Sequence, residues 1–583
     1  MMPGCVPWPP EDARRYRDEG LWRGETLGDM LRRSAREHGD RTAVVATTRL
    51  EHARGEHGSG EHGGPRLVRY SYRELDERAD RLAAGLRASG VRPGDRVLVQ
   101  LPNSPELIEL CFALFRTGAA PVLALPPHRH DEITHLAAHT GAVAYVVPDR
   151  HQGFDHRELA RRVRGAVPGL RQVIVCGEPE EFTALSGLYA PARDDVPGPR
   201  PEDVALFLLS GGTTGRSKLI PRTHDDYLCN LRLSAANARL DPGAVYLAAL
   251  PIAHNYALGC PGVLGTLYAG GTVVLPATPS PDDAFPLIES ERVTVTGLVP
   301  SLARLWTEAA AWSGHDLSSL RLVQVGGAAV GPDLARAVGE RLGRVQQSFG
   351  MAEGLLSQSP PDDPPDLLAT TQGRPLSTAD EVRVVDEEGR DVPAGQTGEL
   401  LVRGPYTIRG YYRAEEHNVA AFTPDGFFRS GDLARITPTG HLVICGRVKD
   451  VINRGGDKVP ADEVEEHLLA HPLVRAAAVV AVPDPYLGER TCACIVPVTG
   501  PAGAADLGGP ADPAHTADPA ARAPSQRAIA EFMRERGVAA YKVPDRVEVV
   551  PSLPLTPVGK IDKARLRAGL ARPGARHDGG EPA

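Results

Sequence analysis

Leu209-Ser-Gly-Gly-Thr-Thr-Gly-Arg-Ser-Lys218, followed directly by Leu-Ile-Pro-Arg-Thr-His224, is a loop stocked for holding phosphates. Gly211, Gly212 and Gly215 let backbone N–H groups approach an anion. Ser210, Thr213, Thr214 and Ser217 add hydroxyl donors, and Lys218 adds a positive charge. The apolar run Val204 to Leu209 ahead of the loop reads as a buried strand, so the loop leaves a strand end. A Walker A loop needs G-x-x-x-x-G-K-[ST]; here Lys218 stands three residues after the last glycine and neither Ser nor Thr follows it. The usual P-loop reading therefore fails, while the loop still points to ATP chemistry.

On either side of this loop, short β-rich runs alternate with helical patterns. Ser71-Tyr-Arg-Glu74 is a capping-box signature, and Leu75, Ala79, Leu82, Ala83 and Leu86 follow at helical spacing before Gly90 and Pro93-Gly94 end the helix. Further strands are expected at Val97 to Gln100, Val143 to Val147, Val173 to Cys176, Val245 to Leu250, Thr272 to Leu275, Val293 to Leu298 and Leu322 to Val325. Helix-length segments separate many of them, which predicts an α/β fold with substantially parallel sheets. A chain of 583 residues exceeds what one hydrophobic core serves, so at least two domains are expected.

Hydrophobic residues at 42% and charged residues at 24% fit a soluble globular enzyme. A net charge of −9 argues against nucleic acid as partner and leaves small organic substrates. The start, Met-Met-Pro-Gly-Cys-Val-Pro-Trp-Pro-Pro, has no basic segment followed by an apolar one, and no later apolar run is long enough to span a bilayer. A cytoplasmic protein is expected. The eight cysteines are scattered, and Cys492 and Cys494 have neither zinc-finger nor redox spacing, so reduced thiols are the default. Glu51 to Pro65, with Gly-Glu-His-Gly twice, reads as a solvated insertion, and Gly500 to Pro524 as a mobile loop.

Several further motifs then accumulate: Gly350-Met-Ala-Glu-Gly354, Ser430-Gly-Asp-Leu433, Gly446-Arg-Val-Lys-Asp450, Asn453-Arg-Gly-Gly-Asp-Lys458 and Pro554-Leu-Thr-Pro-Val-Gly-Lys560. Their order and spacing resemble the adenylate-forming superfamily of acyl-CoA synthetases, peptide-synthetase adenylation domains and luciferases, over nearly the whole chain. The resemblance implies a large N-terminal domain of layered α/β subdomains, residues 1–448, and a small mobile α+β C-terminal domain, residues 449–573, with 574–583 a disordered tail. It implies ATP and Mg2+ as cofactors and a reaction in which a carboxylate attacks the α-phosphorus of ATP.

That chemistry brings two anions together, so cations and N–H donors must stabilise the transferring phosphoryl group. By resemblance, Lys560 bridges the substrate carboxylate and the α-phosphate, and Glu353 is the magnesium ligand. Asp432 binds the ribose hydroxyls, Arg447 contacts ribose or phosphate, and Phe349 flanks adenine beside the Gly326-Gly327-Ala328 backbone. Gly350 and Met351 join this nucleotide set with Ser210, the loop glycines and threonines, and Lys218. Lys449 occupies the hinge position, about which the small domain rotates to withdraw Lys560 and present Gly455-Gly456 for the second half-reaction.

Pro251-Ile-Ala-His-Asn-Tyr-Ala-Leu-Gly-Cys-Pro-Gly262 narrows the resemblance to stand-alone aryl-acid AMP ligases acting on 2,3-dihydroxybenzoate or salicylate in siderophore assembly. Pro7-Trp8-Pro9, Pro221-Arg-Thr-His-Asp-Asp-Tyr227 and Arg403-Gly-Pro-Tyr-Thr-Ile-Arg-Gly-Tyr-Tyr412 extend it. Relatives that activate amino acids carry aspartate where Asn255 stands; an amide suits a neutral ortho-hydroxyl instead. His254 is expected by the carboxylate and phosphate loop, and Tyr256 in the aryl pocket. Cys260 aligns with a position that tends to cysteine in salicylate enzymes. Ser348 departs from the subfamily's branched apolar wall, leaving room for a substituted salicylate or a hydroxynaphthoate of an antibiotic pathway, unless a neighbouring side chain fills the gap and the substrate is salicylate or 2,3-dihydroxybenzoate. The resemblance implies an acceptor supplied by another molecule, the phosphopantetheine thiol of a carrier protein or coenzyme A. A non-catalytic adenylate binder would lack Glu353 or Lys560, and nothing asks for a luciferase-like oxidase.

Overall fold

The computed structural model describes residues 2–48, 66–192, 198–210, 217–328, 330–454, 457–484, 486–498, 523–536, 538–556 and 559–570. The insertion at Glu51 to Pro65, nearly all of Gly500 to Pro524, the loop residues 211–216, the pair Gly455 and Gly456, and the tail expected at 574–583 lie outside the described residues.

Among the described residues, two large sheets dominate the N-terminal part. One runs Arg374–Pro375, Leu356–Gln358, Arg344–Gly350, Leu322–Gly326, Val295–Leu298, Val245–Leu247, Thr272–Leu275, Thr42–Thr48, Arg66–Ser71. Its inner pairs are parallel and its edges antiparallel. The other runs Leu219–Thr223, Val204–Leu209, Ala120–Leu123, Arg96–Val99, Ala144–Pro148, Gln172–Cys176, Thr183–Ala184, parallel except at its first pair. An antiparallel sheet of Glu381–Val385, Gly398–Arg403, Phe428–Ile436 and Leu442–Arg447 follows.

The expected helix forms as Tyr72–Ala88. Its Ser71 side chain accepts from the Glu74 N–H, the Glu74 carboxylate returns the bond, and Gly90 follows at φ +95°. It packs with the helix Pro105–Thr117, which is buried on every side because it lies in the core shared by the two sheets. Leu75, Leu82, Phe112, Phe115, Val97, Leu206 and Val263 meet there, each large side chain contributing about 1.5–3 kcal/mol.

One strand is shorter than expected. Val245–Leu247 stops before Leu250 because the Asn103 side chain replaces the ladder, donating to the carbonyls of Ala248 (3.1 Å) and Leu250 (2.9 Å) and accepting from the Ile252 N–H (2.8 Å). This turns the chain out of the sheet toward His254.

The C-terminal part has its own sheet, Asp457–Pro460, Val451–Arg454, Gly488–Pro497 and Val474–Asp484, with Arg546–Val549 alongside. Ile452, Val464, Val479, Ile495, Ile529 and Met533 form a separate small core. A large layered α/β part plus a small α+β part is the fold expected. All eight cysteines are free thiols.

Candidate active site

The phosphate-loop candidate joins the strands Val204–Leu209 and Leu219–Thr223, an antiparallel pair at a sheet edge. Its neck is closed by Ser210 N–H donating to the Lys218 carbonyl (2.9 Å) and Lys218 N–H donating to Ser210 Oγ (2.9 Å). Gly211, Gly212, Thr213, Thr214 and Gly215 lie beyond that neck, outside the described residues. The Lys218 ammonium sits 5.9 Å from the centre of the Tyr411 ring. Tyr411 Oη in turn donates to Glu353 Oε1 (2.7 Å). Lys218 and Glu353 thus share one aromatic neighbour at the mouth of the loop.

The opposite wall is built from loops at the C-terminal ends of parallel strands, the usual ligand crevice of such sheets. Gly326 ends the strand Leu322–Gly326, and Gly327 takes φ +84°. A Cβ on Gly327 would stand 3.4 Å from Lys560 Cε and 4.0 Å from Lys560 Nζ, so the lysine of the small part reaches across and lies over this loop. Thr556 holds the loop that delivers it, its Oγ1 accepting from the Lys560 N–H (3.2 Å) and its N–H donating to the Lys560 carbonyl (2.7 Å).

Asp432 and Arg447 face each other on neighbouring antiparallel strands, with Arg447 Nε 2.7 Å from Asp432 Oδ1. Burial raises the Asp432 carboxyl to about 6, against the opposing pull of Arg447 and Lys560. Burial likewise lowers Lys560, helped by Arg447 and resisted by Asp432 and Glu353. Three sequence-distant motifs therefore meet at one ammonium.

His254 caps the short helix Asn255–Gly259, its Nδ1 accepting from the Tyr256 N–H (3.3 Å). That bond leaves Nε2 carrying the proton, a donor aimed by the cap. Burial, reinforced by the Lys560 ammonium, lowers His254 to about 3, so the ring stays neutral at physiological pH.

The following residues line the deeper end. Tyr227 Oη donates to Asn255 Oδ1 (2.8 Å), and Asn255 Nδ2 approaches Cys260 Sγ at 3.5 Å. Gly259 makes this possible, since a Cβ there would lie 2.5 Å from Tyr227 Oη. Ser348 stands beside Gly326 in parallel register and opposite Gln358 in antiparallel register. Gln358 Nε2 donates both to Ser348 Oγ (3.0 Å) and to the Cys260 carbonyl (3.2 Å). The space beside the small Ser348 is thus shared with an amide, so that wall is polar. Tyr256 lies here too, its hydroxyl buried without a partner among the described residues.

The remaining candidates are adjacent. Phe349 and Gly350 continue the strand of Ser348, Met351 follows, and Ala328 is exposed beside Gly327. Lys449 follows two residues after Arg447, in the short 3-10 turn Val448–Asp450 between the two parts, where burial lowers its pKa, helped by Arg447 and resisted by Asp450 and Asp432. The sequence alone assigns no role to Tyr227, Gln358 or Tyr411: each acts through a neighbour distant in the chain, and only the Tyr227 and Tyr411 segments carry a motif signal.

The family model described as "AMP-binding enzyme" matches residues 31–412, and "AMP-binding enzyme C-terminal domain" matches residues 463–560. The chain belongs to the AMP-binding enzyme family. It is 52% identical over 573 residues to the 2,3-dihydroxybenzoate-AMP ligase of Bacillus subtilis (strain 168), covering 98% of each chain. It is 47% identical over 567 residues to the salicyl-AMP ligase / salicyl-S-ArCP synthetase of Mycobacterium tuberculosis (strain ATCC 25618 / H37Rv), covering 97% of this chain and 94% of the relative. The apo structure of Mycobacterium smegmatis MbtA superposes with a TM-score of 0.71 at 46% identity, covering 97% of this chain and 98% of that one. No helix among the described residues is long and apolar enough to cross a membrane.

Proposed function

We propose that the protein condenses a 2-hydroxyaryl carboxylic acid with ATP to an aryl adenylate, releasing pyrophosphate, and then transfers the aryl group to a phosphopantetheine thiol of a carrier protein or coenzyme A. The observation that carries this reading is the pairing of Lys560, seated over the Gly327 loop, with a neutral His254 that feels its charge and that is followed by an uncharged, Tyr227-oriented Asn255. A carboxylate placed between Lys560 and His254 Nε2 loses part of its repulsion for the α-phosphate. Tyr227 occupies Asn255 Oδ1, so the amide offers Nδ2–H to an ortho oxygen of the ring. Glu353 and Lys218, which share Tyr411 beside the neck of the phosphate loop, serve the phosphates, and Asp432 with Arg447 takes the ribose. Glu353 has no salt-bridge partner among the described residues and spends one oxygen on Tyr411, which fits a Mg2+ ion held by one carboxylate and the substrate phosphates. That ion would neutralise charge on the phosphates.

Substrate and pathway divide into salicylate or a substituted salicylate or hydroxynaphthoate of a siderophore or antibiotic route, and 2,3-dihydroxybenzoate as the second reading, favoured by the B. subtilis relative. The test is acid-dependent ATP/pyrophosphate exchange with benzoate, salicylate, 2,3-dihydroxybenzoate and 2-hydroxy-1-naphthoate. Exchange that requires the ortho-hydroxyl supports the reading; equal exchange with benzoate removes the role of Asn255, and no exchange with any acid overturns it.

Gly259→Ala drives a methyl into Tyr227 and unseats Asn255, so the KM for the aryl acid rises about tenfold while that for ATP holds, as exchange kinetics read directly. Protonation of Asp432 as pH falls through about 6 removes its ribose contact, so the KM for ATP climbs below that pH and Asp432→Asn flattens the rise. Because the folded value lies above the ordinary carboxylate value, the cost of burying the charge is relieved as pH falls, and the acid limb does not report unfolding. At the alkaline end, activity is lost as the lowered Lys560 ammonium deprotonates.

The division at 448/449 belongs to the same proposal. Lys449 lies in the turn joining the parts, and a rotation there withdraws Lys560 for thioester formation. Lys449→Pro fixes φ at this pivot, so exchange persists while thioester formation drops at least about tenfold; equal retention of both half-reactions moves the hinge elsewhere.

A further inference from the structure

The Ser348 hydroxyl has a defined role as acceptor from Gln358. Gln358 Nε2 donates to the Cys260 carbonyl at 3.2 Å, and a carbonyl only accepts, so the amide nitrogen is fixed on that side. Gln358 Oε1 takes the weaker 3.4 Å contact from Asn237 Nδ2. The second Nε2–H then points to Ser348 Oγ at 3.0 Å, making the hydroxyl the acceptor in that bond. Its own proton finds no acceptor among the described residues. Gln358 is fully buried, and Ser348 keeps 7% of its surface exposed. Ser348 also lies level with Gly326, one residue from the Gly327 loop over which Lys560 is seated.

A buried O–H donor without an acceptor costs free energy that a ligand acceptor recovers. We propose that Ser348, held by Gln358, is a specificity-determining donor that selects aryl acids bearing a hydrogen-bond acceptor, an ether oxygen or a ring nitrogen, on the ring edge away from the carboxylate. This rests on the aryl-acid reading above and deepens it: the wall discriminates by polarity as well as by size. An alkyl substituent of the same volume reaches the same place and leaves the proton unpaired.

The test compares methoxy- and ethyl-substituted salicylates, matched in size, at each open ring position in ATP/pyrophosphate exchange. At one position, methoxy exceeds ethyl in kcat/KM by about tenfold, the worth of one recovered buried hydrogen bond. Ser348→Ala brings that ratio close to one whatever its absolute rate, and Ser348→Cys, of similar size and a weaker donor, keeps a reduced ratio. Ethyl matching or exceeding methoxy at every position, or a methoxy preference that survives Ser348→Ala, overturns the inference while exchange with salicylate leaves the aryl-acid reading standing. Absence of exchange with every acid, salicylate included, overturns both.

Discussion

Lys560→Ala lowers aryl-acid-dependent ATP/pyrophosphate exchange by about 10²- to 10³-fold, the loss expected when one preorganised charge facing the transferring group is removed. The argument is geometric. Lys560 lies over Gly327 at the ends of the parallel strands, and its ammonium acts on His254, Asp432 and Glu353 at once. Its removal leaves the carboxylate and the α-phosphate facing each other with only the His254 donor between them. Steady-state exchange measures the effect, and supplying preformed aryl adenylate isolates it. The variant is expected to form thioester from that adenylate at close to the parent rate, because the proposed rotation has by then withdrawn the lysine. A variant within tenfold of the parent in exchange removes Lys560 from the centre of the reaction.

Asn255→Asp is expected to reduce kcat/KM for salicylate by about 10²- to 10³-fold. Asn255 is 6% exposed and sits among Tyr227, Cys260 and the Asn255–Gly259 helix, with no cation partner among the described residues. An unpaired carboxylate there carries the cost of a buried charge, about 3–5 kcal/mol, and repels the substrate's own carboxylate. Tyr227→Phe leaves the amide in place without its orienting bond and costs less, about tenfold. Exchange kinetics on both variants, with melting temperatures to exclude unfolding, separate the two effects. Salicylate activation by Asn255→Asp at parent level places the ring elsewhere.

Much of the fold was legible because local rules dominated it. Ser71 and Glu74 cap a helix by contacts three residues apart, and the runs at Leu322 and Thr272 are apolar enough to be buried strands in any context. Where a distant side chain intervened, local reading overran: Val245–Leu247 ends early because Asn103 takes its ladder bonds. The catalytic candidates were legible for a different reason, namely that their motifs fall in a spaced order along the chain. The partners that aim them were not. Tyr227 reaches Asn255 across 28 residues and Tyr411 reaches Glu353 across 58, and no periodicity records such pairs.

Residue types and their spacing by themselves determined the α/β class and the Gly-, Ser- and Thr-rich make-up of the loop after Leu209, and they put at position 255 an amide that cannot supply the charge a substrate ammonium would need. Tertiary structure alone decided that Lys560 lies over Gly327, that burial raises Asp432 to about 6 while it lowers His254 to about 3, and that Gln358 donates to Ser348 Oγ. The physical reason is that hydrogen-bond direction and desolvation depend on which groups are brought within about 3 Å of one another, and here the nearest neighbours come from strands and loops far apart in the chain.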